Sequence, residues 1–242
     1  MTAVVISQPM LFPWPGLFEQ IMLADVYVHH DDAQFSQSSF TRRIQVKNGA
    51  GVTWMTIPLK NRLNMHQRIN ELEAADEPWK RTHRNLLLRT LRGAPFLDDA
   101  IALFDSACQQ TSVCDLLMAS IEEPCRYLGI GGAMTIARTS TLGIGERSWQ
   151  RVLKVTQAFG GTRYITGHGA ANYLDHEAFE AAGIAVDYMN YSRTPWPQFG
   201  DAFTPFVTIL DLIAHTGPNA VDCLRPATVD WRAFLQMERI PA

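Results

Sequence analysis

Nowhere does this 242-residue chain hold a run of about 18 consecutive apolar residues, so no transmembrane helix is expected. An excess of one charge is lacking too: 21 Lys and Arg stand against 24 Asp and Glu, a net charge of -3. A nucleic-acid binder usually needs a basic surplus to neutralise phosphates, so DNA and RNA are not expected partners. The four cysteines, Cys108, Cys114, Cys125 and Cys223, include no CxxC pair, and three fall in a stretch of helical pattern with apolar or small neighbours. They read as reduced packing thiols, with a catalytic cysteine as the alternative. Met1 to Ser7 has no positive charge before its apolar run and meets Pro9 too soon for a signal peptide. The expected location is therefore the cytoplasm.

What is abundant is apolar: hydrophobic residues make up 47% and charged residues only 19%, below the roughly 25% of an average domain, which calls for a large buried core. The length suits a single α/β domain over residues 1–242. Val4 to Ser7, Gly16 to Ala24 and Val26 to Val28 read as strand, helix and strand, most simply a parallel βαβ unit. Arg43 to Lys47 and Val52 to Ile57 alternate around Asn48-Gly49-Ala50-Gly51 as a hairpin. After a polar loop, Lys60 to Arg68, residues 69–128 read as helical, with breaks near Gly93-Ala94-Pro95 and Gln109 to Ser112, and form a candidate cap. Strands at Ala133 to Ala137, Thr162 to Thr166 and Ile184 to Met189 then alternate with helices at Trp149 to Phe159 and His176 to Ala182. Thr204-Pro205 is expected to open a last helix that Gly217-Pro218 stops. The expected fold is α/β: a mainly parallel sheet flanked by helices, with a β-hairpin and a helical cap insertion.

The densest polar cluster, His29-His30-Asp31-Asp32-Ala33-Gln34, follows a strand directly, where the crevice of an open parallel sheet lies. Adjacent carboxylates at Asp31 and Asp32 can divide acid/base labour, one staying ionised while the other accepts a proton; a solvated turn is the bland alternative. The four side chains cannot converge on one ion, because successive strand residues face opposite ways, so no metal is expected. His83 lies on the apolar stripe of a helix, one turn from both Trp79 and Leu87. It is either a satisfied core histidine or a general acid/base. Asp211, in an almost wholly apolar helix, needs a partner such as His215 or Arg43, unless it faces a substrate. Thr166-Gly167-His168-Gly169-Ala170-Ala171-Asn172 approximates a dinucleotide fingerprint but has Asn172 where a third small residue belongs. No cofactor is expected, although the turn could hold a phosphate or carboxylate. Pro195-Trp196-Pro197-Gln198-Phe199 could wall a sugar or aromatic ring, or pack as a surface loop.

These residues carry a resemblance. Gln8-Pro9, Phe12-Pro13-Trp14-Pro15-Gly16, Ala24-Asp25-Val26 and Asp31-Asp32-Ala33-Gln34-Phe35 resemble the opening of the WbqC-like family. The likeness continues through Trp54 to Pro58, Trp79 with His83, Thr166-Gly167 with Tyr173-Leu174, Pro197-Gln198, and Ile209 to Leu212 with Gly217. It implies bacterial origin and, in many members, a place in O-antigen or other surface-polysaccharide assembly, where amino-sugar nucleotides are common substrates. The expected catalytic positions are Asp31, Asp32 and His83, with Asp31 or Asp32 orienting an amine and His83 moving the proton. The expected substrate contacts are Gln8, Gln34, Arg43, Thr166, Gly167, Tyr173, Gln198 and Asp211, with Arg43 and the Gly167 turn holding an anionic group. Gln37 replaces a common basic residue, and Ile44-Gln45-Val46 replaces an Asn-Arg-Ile pattern, which points to a less negatively charged substrate. The expected partners are a small molecule, a nucleotide sugar or amino acid, and a second copy of the chain in a homodimer. The expected activity is amino-sugar modification by acyl transfer or a related condensation. The alternatives are a secondary-metabolite enzyme joining an amino acid or aromatic amine to a carbonyl compound, and a non-catalytic carbohydrate- or partner-binding protein. The last predicts exposed apolar surface and an Asp211 locked in a structural ion pair outside any cleft.

Overall fold

A computed structural model describes residues 1–37, 39–49, 51–60, 67–76, 78–200 and 202–238. The chain runs from β1 (Ala3–Ser7) through α1 (Pro15–Ile21) to β2 (Val26–His29), then into the hairpin β3 (Arg43–Asn48) and β4 (Gly51–Thr56). Three helices follow, α2 (Trp79–Thr90), α3 (Leu97–Ala107) and α4 (Val113–Tyr127). Alternation then returns as β5 (Thr135–Arg138), α5 (Ser148–Ala158), β6 (Arg163–Thr166), α6 (His176–Ala181) and β7 (Ala185–Met189). The chain closes with α7 (Ile209–Thr216), β8 (Thr228–Asp230) and α8 (Trp231–Glu238).

Among the described residues, six strands pair in the order β5-β2-β1-β6-β7-β8. Every pairing is parallel except that of β7 with β8. Both faces of the sheet are covered, and this explains why its strands read as continuous apolar runs. In β1, Ala3 and Val5 enter one hydrophobic cluster, with α1, α2, α3, α4 and α7, while Val4 enters another beside Val155 of α5. Tyr164, Val186 and Tyr188 face Phe179 and Phe234 of α6 and α8 in a third cluster. Residues 69–128 thus merge into the largest core, against the helix that follows β1.

Pro15 opens α1, where its missing N–H costs nothing and its φ is preset. The Ser112 hydroxyl caps α4 by accepting from Asp115 N at 2.9 Å. The last long helix differs from expectation: α7 begins at Ile209, not at Thr204-Pro205. Val207 bridges Gln45 of the hairpin, Thr208 N donates to Gln45 O at 2.9 Å and Ile209 N to Pro13 O at 2.9 Å, so this backbone is claimed in extended form until Thr208 can cap. The loop expected at Lys60 to Arg68 and the turn position Ala50 lie wholly or partly outside the described residues. Among those residues, no helix is long and apolar enough to cross a membrane.

Candidate functional site

Strand order decides where a site can form. The chain goes from β1 outward through β2 to β5, then returns across β1 to build β6 and β7 on the other side. Between β1 and β6 the winding reverses, and in open α/β sheets the crevice at such a point, beyond the carboxyl ends of the strands, receives ligands. A cavity of about 930 Å³ lies there, large for a small-molecule pocket. Its lining includes the strand ends: Ser7 closing β1 with Gln8 after it, His30 and Asp32 after β2, and Thr166 closing β6 with Gly167 after it.

The walls are aromatic and amide-bearing. Trp14, Phe40, Tyr164, Tyr173 and Tyr191 line the cavity with Gln8, Gln20 and Gln34. Gln20, buried on α1, donates from Nε2 to Ile165 O at 2.9 Å and ties that helix to the strand on the far side of the crevice. Gly16 is required by close approach: a Cβ there would stand 2.6 Å from a Tyr191 ring carbon and 2.7 Å from Trp14 Nε1. Phe12, at φ +38°, is strained but pinned, its N–H bonded to Ser120 Oγ and its carbonyl to Thr208 Oγ1, so that Trp14 follows in a fixed direction. Burial first, then Glu19, pushes the Tyr191 phenol up to about 12, so it remains a hydrogen-bond donor near neutral pH.

The charged centre joins β2 to α5. Arg151 Nη2 reaches Asp32 Oδ2 at 2.5 Å, and Thr139 Oγ1 donates to Asp32 Oδ1 at 2.6 Å. Burial alone would raise the Asp32 carboxyl, but these two donors outweigh it and hold it below the ordinary carboxylate range. His30 Nδ1 lies 3.1 Å from Thr139 Oγ1 and 3.9 Å from Asp32 Oδ1. Burial and then the Arg151 charge lower its pKa against the pull of Asp32 and Asp31, leaving the imidazole neutral near pH 7. Arg68, Arg147 and Glu146 add charge at the cavity wall.

Of the residues expected at one site, Gln8, Asp32, Gln34, Thr166, Gly167 and Tyr173 line this cavity. Asp31 stands behind Asp32, buried, accepting from Ser140 N at 3.0 Å and Ser140 Oγ at 2.6 Å. Within the polar cluster His29, the last residue of β2, turns away to Glu122 at 3.0 Å, whereas His30, Asp31 and Asp32, beyond the strand, gather around Thr139 Oγ1. His83 lies elsewhere, buried against Trp79 at a ring separation of 5.3 Å and bonded to the Thr56 backbone. Burial pushes its pKa down to about 4. Arg43 spreads over the Trp54 ring, 4.6 Å from its centroid. Asp211 and Gln198 meet each other instead: buried Asp211 accepts from Trp196 Nε1 at 2.8 Å, with Gln198, His215 and Lys47 around it. Among the described residues, none between 69 and 128 contributes to the cavity lining. The Gly167 turn continues as a short 3₁₀ segment, His168–Asn172, and Asp187 is engaged by Arg163 Nε at 2.6 Å. Burial raises the thiols of Cys114 and Cys125 to about 12, which suits inert packing.

The WbqC-like protein family profile matches residues 8–223, nearly the whole chain. This chain belongs to the WbqC-like family. A member-length relative, "Uncharacterized protein Rv1507c" of Mycobacterium tuberculosis (strain ATCC 25618 / H37Rv), is 28% identical over 229 residues, covering 93% of this chain and 98% of the relative. No solved structure matches the chain. The family match begins at Gln8, the first residue after β1, and so takes in the cavity-lining positions from Gln8 to Tyr191.

Proposed function

We propose that this WbqC-like chain is an enzyme that modifies an amine-bearing small molecule, with an amino sugar as the best-fitting class, by acyl transfer or a related condensation. The observation that carries the reading is a held-ionised carboxylate, Asp32, next to a neutral imidazole, His30, in the wall of a cavity at the sheet's winding reversal. Asp32 orients the amine. As its nitrogen attacks the acyl carbonyl carbon, the N–C bond forms, the bond to the leaving group breaks, and the amine proton passes through His30 to that group. Tyr173 and Trp14 offer ring faces to a sugar or base, and Arg68 and Arg147 offer guanidinium groups to an anionic substituent. The saccharide part of this reading leans on the resemblance, as does a role in bacterial surface-polysaccharide assembly. Free thiols suit a reducing compartment such as the cytoplasm.

A second reading, a non-catalytic binding protein, is favoured by one observation: Asp211 stands in a structural cluster outside the cavity, as that reading expects. The catalytic case therefore stands on Asp32 and His30. Mass-spectrometric detection of products from a panel of amino-sugar nucleotides and aromatic amino acids with acyl donors separates the readings. We expect turnover, with His30→Gln losing about 10²–10⁴-fold while still binding. Binding without product across the panel would support the second reading and contradict the first.

A further inference from the structure

We infer that Thr139 is a positioning residue that fixes His30 as the Nδ1–H tautomer and so presents Nε2 to the cavity as an unprotonated base. This rests on the role given to His30 above. Thr139 begins a 3₁₀ turn directly after β5 and is buried, outside the cavity lining. Its hydroxyl meets three groups: Asp32 Oδ1 at 2.6 Å, His30 Nδ1 at 3.1 Å and Asp31 Oδ1 at 3.3 Å.

A hydroxyl carries one proton. Two of the three neighbours are carboxylate oxygens, which only accept when ionised, and Asp32 is held ionised by Arg151 at 2.5 Å. The Thr139 proton therefore goes to a carboxylate, with Asp32 at the shorter, charge-assisted distance. If His30 Nδ1 were also an acceptor, its lone pair would face that of Thr139 Oγ1 at 3.1 Å with no proton between them. The arrangement that satisfies every group is His30 Nδ1–H donating to Thr139 Oγ1, and Thr139 Oγ1–H donating to Asp32. Nε2 is then the ring nitrogen with a free lone pair.

The same chain of bonds couples the two functional side chains. Asp32, too far from His30 for a direct hydrogen bond at 3.9 Å, acts on it through a hydroxyl supplied by the turn that follows the neighbouring strand β5. The second carboxylate, Asp31, accepts from Ser140 N and Oγ, one bond on each oxygen, and so braces that turn. Adjacent aspartates thus have separate tasks, one in the cavity and one bracing the turn that carries Thr139.

Long-range ¹H–¹⁵N correlation spectra of the histidine side chains, assigned by comparison with His30→Gln, test this without a substrate. The wild-type protein at neutral pH should show His30 Nδ1 protonated and Nε2 unprotonated. Thr139→Ser should preserve that pattern, and the isosteric Thr139→Val should lose the Nδ1–H signal in favour of Nε2–H. Circular dichroism and the spectra of the remaining histidines identify a Val variant that has unfolded, in which case the Ser variant and the wild-type tautomer carry the test. An Nε2–H tautomer in the wild type, or an unchanged Nδ1–H tautomer in folded Thr139→Val, would overturn the inference. The predicted tautomer in a protein that turns over no amine would leave this inference standing and remove the catalytic reading.

Discussion

A histidine that sequence pattern places near chemistry can be told from one that does chemistry by its response to acid. Buried His83 has a pKa of about 4 in the folded chain against 6.5 when unperturbed, so between those values the unfolded chain binds more protons. Folding stability should therefore fall as pH drops from 6.5 to about 4, by up to about 3 kcal/mol from this group, and the loss should level off below that. Urea denaturation across this range should show a shallower acid loss in His83→Gln than in the wild type; parallel curves would contradict the buried, neutral assignment. Substrate turnover should survive that substitution, because His83 is remote from the cavity lining. The sequence made His83 and Asp32 legible as titratable groups next to apolar runs. It could not make Arg151 or Thr139 legible, since they reach Asp32 from 119 and 107 positions along the chain and carry no local signature. His30 is visible within the polar cluster, but its separation from His29 depends on β2 ending at His29 and on partners far along the chain, Glu122 for His29 and Thr139 for His30.

At the scale of elements, α7 and the loop before it are held by a few buried polar groups. Asp211 accepts from Trp196 Nε1, with Gln198 also bonded to it and Lys47 nearby, and burial raises its carboxyl pKa. Its charge is thus a cost and its acceptor oxygens are what stabilise. Asp211→Asn should change stability by less than about 1 kcal/mol, whereas Asp211→Ala, which strands buried donors, should cost about 3 kcal/mol or more. Equal losses from both would show that the charge itself matters. The far end of α7 is set by Gly217 at φ +59°, where a Cβ would lie 2.6 Å from the Phe96 ring. Gly217→Ala should therefore lower stability by about 2–4 kcal/mol in chemical denaturation, and a neutral effect would refute this account of the helix stop. That stop was readable as Gly-Pro. The start was not, because the bonds that keep Val207 and Thr208 extended come from Gln45 and Pro13, far away in sequence. β8 and α8 fell outside any expectation for a related reason: a three-residue strand has too little alternation to detect and exists by pairing with β7.

For the whole molecule, burial on both sheet faces wrote the strands into the sequence as apolar runs, and the parallel β1–α1–β2 unit was legible for that reason. Strand order was not, since nothing local states that β6 returns beside β1. Yet that return creates the cavity and gathers Gln8, Asp32 and Thr166 from three strand ends. Asp211, Gln198 and His83 lie outside its lining, Asp211 and His83 buried in packing, so residues of one family pattern divide between a cavity and the rest of the fold. The most direct test of the central claim is isothermal calorimetry with matched ligands, an amino-sugar nucleotide and its N-acetylated counterpart, on the wild type and on Asp32→Asn. The account predicts measurable binding of the free amine, weakened at least tenfold both by N-acetylation and by Asp32→Asn. Equal affinity for the two ligands, or amine binding that Asp32→Asn leaves unchanged, would contradict it.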